Sequence, residues 1–179
     1  MSIIEFLEIS VSLIFFVNKL LVLVGEKLER WGWLVGVVAA VLSIFYFYLI
    51  ELYVFTALEF GLVVLMGYGF LPEKNKTSKT EKWIHIAIIV VMSALAYFVF
   101  SGLMTIYEFL SAVGMLIGTY YLLTHKKMQL GWLLYGLAHI LAAVIGYDKQ
   151  QEFFADFQIA SVIVSAIGIL QARKTKSPG

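Results

Sequence analysis

Residues 31–71 read WGWLVGVVAAVLSIFYFYLI followed by ELYVFTALEFGLVVLMGYGFL, two apolar runs in direct succession. The first run, Trp31 to Ile50, is 20 residues long and carries no charge. The second, Leu52 to Leu71, is interrupted only by Glu59. A bilayer core of about 30 Å needs roughly 20 apolar residues per helix. This stretch therefore predicts two membrane-spanning helices joined by a short turn.

The rest of the chain continues the same pattern. Apolar segments predict seven helices, over about 3–24, 31–50, 52–71, 83–101, 103–124, 128–147 and 153–172. Such long unbroken runs favour helices over a barrel, so the fold class is an all-α membrane protein. The first segment holds Glu5, Glu8, Asn18 and Lys19. It is either an interfacial amphipathic helix or, as we expect, a short first span in which Lys19 snorkels to the interface.

Composition excludes several classes of protein. The chain is 61% hydrophobic and 14% charged, with a mean hydropathy of +0.92, which excludes a water-soluble enzyme or a disordered protein. A net charge of +1 implies no nucleic-acid partner. With no cysteine and three histidines, neither a metal site nor a cofactor is expected. The expected partners are the lipid bilayer and a small molecule, and a homo-oligomer stays open.

Basic residues predict the orientation. With seven spans, eleven Lys and Arg residues fall on one side of the membrane and only Lys149 falls on the other. Cytoplasmic loops carry an excess of Lys and Arg. We therefore expect a multi-pass inner-membrane protein with its N-terminus outside and its C-terminus in the cytoplasm.

An internal repeat organises the chain. At an offset of 99 residues, three features match: Gly32-Trp33-Leu34 with Gly131-Trp132-Leu133, Glu59 with Gln158, and Gly69 with Gly168. Upstream, Glu5-Phe6-Leu7 matches Glu108-Phe109-Leu110 at an offset of 103. The chain is then one domain with a repeat at about 3–72, a linker helix at about 83–101, a repeat at about 103–172 and a tail at 173–179.

The linker helix decides how the repeats are oriented. Three helices are an odd number, and one intervening span restores the same orientation. The result is a 3+1+3 arrangement of two parallel three-helix repeats, with a cavity expected on the axis between them.

Residues 27–71 also resemble the first repeat of the PnuC family of vitamin transporters. The shared features are a basic turn at Arg30, a helix led by Trp33, a Leu52-Tyr53 turn and a helix ending in Tyr68-Gly69. The second half resembles that family's second repeat, in which a basic pair precedes a Trp-x-x-Trp helix, with Tyr135 here in place of the second Trp and His139 where the family usually has Asn. The resemblance implies a SWEET-like fold and uptake, by facilitated diffusion, of nicotinamide riboside or of thiamine, riboflavin or a nucleoside.

Polar residues inside the predicted spans are the candidates for substrate contact, because such groups are costly in a membrane unless they face a cavity or a partner. Glu59, Gln158 and Asp156 could bond ribose hydroxyls or a carboxamide. Trp132, Tyr135 and His139 share one helical face, at i, i+3 and i+7, and could stack on a flat, cationic ring. The candidate binding residues are Glu59, Gln158, Asp156, Trp132, Tyr135, His139 and Trp33.

Other function classes have less support in the sequence. There is no nucleotide-binding loop, no Ser–His–Asp set and no His-Glu-x-x-His motif, so an enzyme is not expected. A SWEET-like sugar transporter and a non-catalytic substrate-binding subunit of a larger uptake system are the alternatives.

Overall fold

Seven helices make up the described part of the chain. The computed structural model describes residues 2–24, 26–71, 78–100, 102–124 and 127–174, and all regular structure in them is helical. The helices are α1 (Ile3–Val24), α2 (Glu26–Leu49), α3 (Tyr53–Phe70), α4 (Ser78–Phe98), α5 (Leu103–Leu123), α6 (Met128–Asp148) and α7 (Glu152–Lys174). Helices suit these sequences because every backbone donor and acceptor in lipid must be paired within the segment.

Six of these helices are long and apolar enough to cross a membrane, and the first segment, Ile3–Val24, is one of them. The prediction of seven spans is confirmed for these six. The exception is α4, whose apolar part runs only from Ile86 to Phe98 because Lys79, Glu81 and Lys82 occupy its beginning. The described part of the chain is therefore a multi-pass membrane bundle in which one helix, α4, is less apolar than the other six.

Two helices extend beyond their apolar runs. The α2 helix begins at Glu26, before the predicted start at Trp31, and α7 continues to Lys174. Backbone hydrogen bonding continues into the interface, where charged side chains can reach water. Three predicted features lie at least partly outside the described residues. They are the turn at Ser101, the interface at His125 and Lys126, and most of the tail, residues 175–179.

Six helices form a closed ring. Going round it, α1 contacts α2, α2 contacts α3, α3 contacts α5, α5 contacts α6, α6 contacts α7, and α7 returns to α1. The α4 helix lies outside this ring and packs on α3 and α5. The interior of the bundle is thus bounded by α1, α2, α3, α5, α6 and α7.

Two turns on one end of the ring are built alike. Glu51, between α2 and α3, has φ 62°, and Gln150, between α6 and α7, has φ 57°. In each turn an amide bonds a carbonyl five residues earlier: Leu52 N to Phe47 O at 2.9 Å and Gln151 N to Gly146 O at 2.8 Å. This 6→1 bond with a left-handed residue is the Schellman ending of a helix. We call this side of the bundle the turn end.

At the turn end, carboxylates from α1 and α5 cap the helices that neighbour them in the ring, α7 and α3. Glu108 Oε1 accepts a hydrogen bond from Phe55 N of α3 at 2.8 Å, and Glu8 Oε1 accepts one from Phe154 N of α7 at 2.9 Å. Both amides belong to the third residue of their helix, where a helix has no internal partner for the N–H. The sequence match paired Glu108 with Glu5, but the side chain that makes the corresponding contact is Glu8, at an offset of 100.

Each of the matched tryptophans packs on the matched glycine. Trp33 of α2 is buried against Gly69 of α3, and Trp132 of α6 is buried against Gly168 of α7. A Cβ atom at either glycine would lie closer than 3.0 Å to the indole ring. The glycines therefore let the two helices of each pair approach closely around a large aromatic side chain.

Candidate functional site

A cavity lies inside the ring. Each of the six ring helices contributes to its lining, which consists of Phe15, Lys19, Phe47, Phe55, Glu59, Leu62, Met115, Tyr135, His139, Phe154 and Gln158. Among the described residues, α4 contributes none. Most of this lining is aromatic or aliphatic, with a few polar groups that converge from different helices, as is typical of a small-molecule site.

The cavity is narrow. About 430 Å³ of empty space, part of it open to the outside, lies among the lining side chains. Only a small part of that space is wide enough for a water molecule to move in. The side chains must therefore shift to admit a substrate.

One wall of the cavity is a hydrogen-bonded row of side chains from α5, α6 and α7. His139 Nδ1 lies 2.6 Å from Gln158 Oε1, and because a carbonyl oxygen only accepts, the ring nitrogen donates. The Tyr135 hydroxyl lies 3.0 Å from Thr119 Oγ1, whose own hydrogen goes to the Met115 carbonyl. The rings of Tyr135 and His139 meet edge-on, with centroids 5.3 Å apart. The row holds both rings in fixed orientations.

Two polar atoms of residues that line the cavity have no hydrogen-bond partner. Glu59 Oε2 and His139 Nε2 are buried and make no hydrogen bond. With Nδ1 donating to Gln158, Nε2 of a neutral imidazole is an acceptor, and a carboxylate oxygen is an acceptor too. Leaving a buried acceptor unpaired costs about 1–3 kcal/mol, and a hydrogen-bond donor placed beside these atoms would remove that cost.

Lys19 also faces the cavity, and the expectation that it snorkels to the interface was wrong. Its side chain is buried, and Nζ donates a 2.7 Å hydrogen bond to Ser161 Oγ of α7. Ser161 can accept because its own hydroxyl donates to the Phe157 carbonyl. Lys19 also interacts electrostatically with Glu59. Because a partner lies at this depth, burying the Lys19 side chain costs less free energy than extending it through the bundle to water.

Aromatic rings close the cavity towards the turn end. The Phe47 ring lies 5.1 Å from Phe55 and 5.6 Å from Phe154, centroid to centroid, and these rings belong to α2, α3 and α7. Tyr46 packs on Phe154 at 5.9 Å, and its hydroxyl bonds Gln151 Oε1 at 3.1 Å. A substrate entering from the turn end would have to displace this aromatic group.

The structure brings four of the seven predicted site residues together at the cavity: Glu59, Gln158, Tyr135 and His139. Trp132 lies behind Tyr135, with ring centroids 6.3 Å apart, and does not line the cavity. Trp33 faces Gly69 and bonds Glu29, and Asp156 is exposed and accepts a hydrogen bond from Tyr147. The structure does not place Trp33 or Asp156 beside the other candidates.

Sequence reasoning missed other lining residues. Lys19 was read as an interface marker, and the three phenylalanines of the aromatic group carry no signal that separates them from core residues. The offset of about 99–100 could have found two of the three, because Phe55 and Phe154 stand 99 residues apart. Within the described residues, no group of three or more His, Cys, Asp or Glu side chains could hold a metal ion.

Comparison with known protein families gives one match. The family model described as nicotinamide mononucleotide transporter matches residues 6–174, nearly the whole chain. Comparison with curated proteins and with solved structures gave no match. The chain belongs to the nicotinamide mononucleotide transporter (PnuC) family and is a multi-pass membrane transporter for a vitamin-type substrate.

Proposed function

We propose that the chain takes up a compound made of a flat heterocycle joined to a hydroxyl-bearing group. Nicotinamide riboside is the reference compound, and thiamine, riboflavin and nucleosides are its relatives in the proposal. The observation that carries it is the pair of unpartnered buried acceptors, Glu59 Oε2 and His139 Nε2, in a cavity lined mainly by apolar and aromatic side chains. Ribose hydroxyls or a carboxamide supply the donors that these atoms need.

In this proposal the lining residues have distinct roles. Glu59 and His139 accept hydrogen bonds from the substrate. Gln158 orients His139 through Oε1, which leaves its amide nitrogen as the donor that it can offer. The Tyr135 ring packs against the heterocycle, and Trp132 supports Tyr135 from behind. Trp33 and Asp156 are not needed for binding in this scheme.

The proposed architecture is two parallel three-helix repeats in a 3+1+3, SWEET-like arrangement. Matching contacts in the two halves support it. Trp33 on Gly69 corresponds to Trp132 on Gly168, and the turns at Glu51 and Gln150 use the same hydrogen bonds 99 residues apart. The two capping glutamates correspond at an offset of 100. The contacts between α1 and α7 and between α5 and α3 are the ones that a twofold axis through the cavity would exchange.

The proposed orientation places the turn end outside the inner membrane, with the N-terminus outside and the C-terminus in the cytoplasm. The distribution of Lys and Arg supports it, because Lys149 is the only basic residue assigned to the turn end. Transport then proceeds by facilitated diffusion without a chemical step. The substrate crosses the membrane through the interior of the six-helix ring.

Uptake into liposomes that contain the purified protein tests this function. Labelled nicotinamide riboside, thiamine, riboflavin and uridine are compared, with and without a proton gradient. We expect uptake of at least one of them that does not change when the gradient is collapsed. In Glu59→Ala and Gln158→Ala variants, loss of a hydrogen bond worth about 1–1.5 kcal/mol should raise the half-saturating concentration roughly tenfold.

The matched control is Glu152→Ala, which removes an exposed carboxylate from the first turn of α7 and should leave uptake unchanged. The proposal fails if none of the four compounds is taken up. The assignment of the site fails if both cavity variants transport with the wild-type half-saturating concentration.

A further inference from the structure

The cavity is lined by one lysine and one glutamate. Lys19 reaches in from α1 and Glu59 from α3, and both side chains are buried and line the same space. Lys19 is held by Ser161 on α7, so its ammonium group is positioned from two helices. The two groups form no salt bridge, but they interact electrostatically, and a buried charge is stabilised by a group of opposite sign.

No other formal charge lines this cavity among the described residues. The other buried carboxylates of the described residues, Glu8 and Glu108, accept hydrogen bonds from the backbone amides of Phe154 and Phe55 at the turn end. His139 adds no negative charge. The lining therefore has a net charge of zero before any substrate enters.

We propose that Lys19 selects the substrate by charge, so that the cavity accepts an uncharged heterocycle with attached hydroxyls in preference to a cationic one. This inference rests on the proposed function and narrows it. Lys19 is the resident counter-ion of Glu59, and a pyridinium or thiazolium ring would bring a second cation into a space whose only lining carboxylate is already balanced. An uncharged ring leaves the charge balance between Lys19 and Glu59 unchanged and still offers donors to Glu59 Oε2 and His139 Nε2.

The size of the effect follows from the low polarity of the site. Like charges brought together in a buried site repel each other strongly. A discrimination of at least about tenfold in favour of the uncharged compound is therefore expected, since tenfold corresponds to about 1.4 kcal/mol. The aromatic rings around the cavity favour a cation by a smaller amount.

Nicotinamide riboside and its dihydro form are the matched probes. They differ by one hydride, and the first has a cationic ring while the second has an uncharged ring. Uptake into liposomes and the shift of the melting temperature on binding are measured for both compounds. The proteins are the wild type, Lys19→Met, and the control Lys127→Met, which removes an exposed lysine from the start of α6.

We expect the wild type and Lys127→Met to prefer the dihydro form by at least about tenfold. Lys19→Met frees Glu59 to act as the counter-ion of the substrate, so the preference should fall by about tenfold or reverse. A Lys19→Met/Glu59→Gln double variant removes both buried charges. This double variant should fold, because it leaves no buried charge without a partner. It should not show the higher affinity for the cationic probe that is expected of Lys19→Met.

The outcomes separate the two proposals. Equal uptake of both probes by the wild type, with Lys19→Met unchanged, overturns charge selection and leaves the transport function standing. A gain for the cation that persists in the double variant also overturns it, because Glu59 would not be the group that Lys19 balances. If neither probe nor any compound of the earlier panel is bound or taken up, the transport function fails and charge selection fails with it.

Discussion

At the scale of single residues, two glycines decide how closely the helices pack. Gly69 faces Trp33 and the Leu123 side chain, and Gly168 faces the Trp132 ring. The indole rings fill the space that a larger side chain would take. A methyl group added there must push an aromatic side chain away, and overpacking of this kind costs about 1–3 kcal/mol.

We therefore expect Gly168→Ala to lower the free energy of unfolding by about 1–3 kcal/mol, measured by thermal unfolding in detergent. Gly67→Ala is the matched control, because nothing lies within 4 Å of the position its Cβ would take. The packing argument is contradicted if both substitutions destabilise the protein equally.

The sequence predicted some polar residues of the site and missed others for a physical reason. Glu59 and Gln158 stood out because each interrupts an apolar run, and His139 lies on the face of Tyr135. Lys19 was equally visible, but its partner Ser161 is 142 residues away in the chain. Local spacing cannot show which distant helix supplies a partner, so it could not separate a snorkelling lysine from one that lines a cavity.

At the scale of the helices, the starts of α3 and α7 depend on other elements. The residue before α3 is Leu52, which has no side-chain oxygen to cap the helix, and Glu108 of α5 supplies one instead. Glu8 of α1 does the same for α7. Helix starts of this kind cannot be read from their own sequence, because the capping group comes from a distant part of the chain.

Glu8→Ala and Glu108→Ala should each destabilise the protein by about 1–2 kcal/mol, the usual cost of losing an N-terminal cap. Thermal unfolding of the purified variants measures this. Glu5→Ala is the comparison on the same helix, because Glu5 is exposed and its carboxylate accepts a hydrogen bond from Ser2 N at the start of that helix. A loss for Glu5→Ala as large as that for Glu8→Ala would argue against the capping role.

Six of the seven helices could be predicted with an error of a few residues at their ends, because lipid demands long apolar runs. The errors occur where charge, rather than helix formation, marked the boundary. The start of α2 at Glu26 is the clearest case: the apolar run begins at Trp31, but the helical hydrogen bonds begin earlier.

At the scale of the whole molecule, contacts across the ring hold the turn end closed. The Tyr46 hydroxyl of α2 bonds Gln151 next to α7, and the aromatic group of Phe47, Phe55 and Phe154 lies beside this bond. Alternating access requires the cavity to open to each side in turn. For the proposed uptake through this end, these contacts therefore have to separate.

The chain has no cysteine, so introduced pairs can be cross-linked without background. Joining Tyr46→Cys to Gln151→Cys with a short thiol cross-linker should abolish most of the uptake, relative to the same variant before cross-linking. Tyr48→Cys with Tyr53→Cys is the control, because these rings lie 6.1 Å apart on α2 and α3, which need not separate. Full uptake by the first cross-linked variant would contradict opening at the turn end.

The position of α4 has a consequence for how the chain could be assembled. This helix touches only α3 and α5 and contributes nothing to the lining of the cavity within the described residues. In the proposed 3+1+3 arrangement, α4 carries the polypeptide across the bilayer, so that the second triplet begins on the same side of the membrane as the first. Two separate polypeptides, each containing one three-helix repeat, could therefore assemble into the same six-helix ring when they are expressed together. Such a pair would be a split transporter.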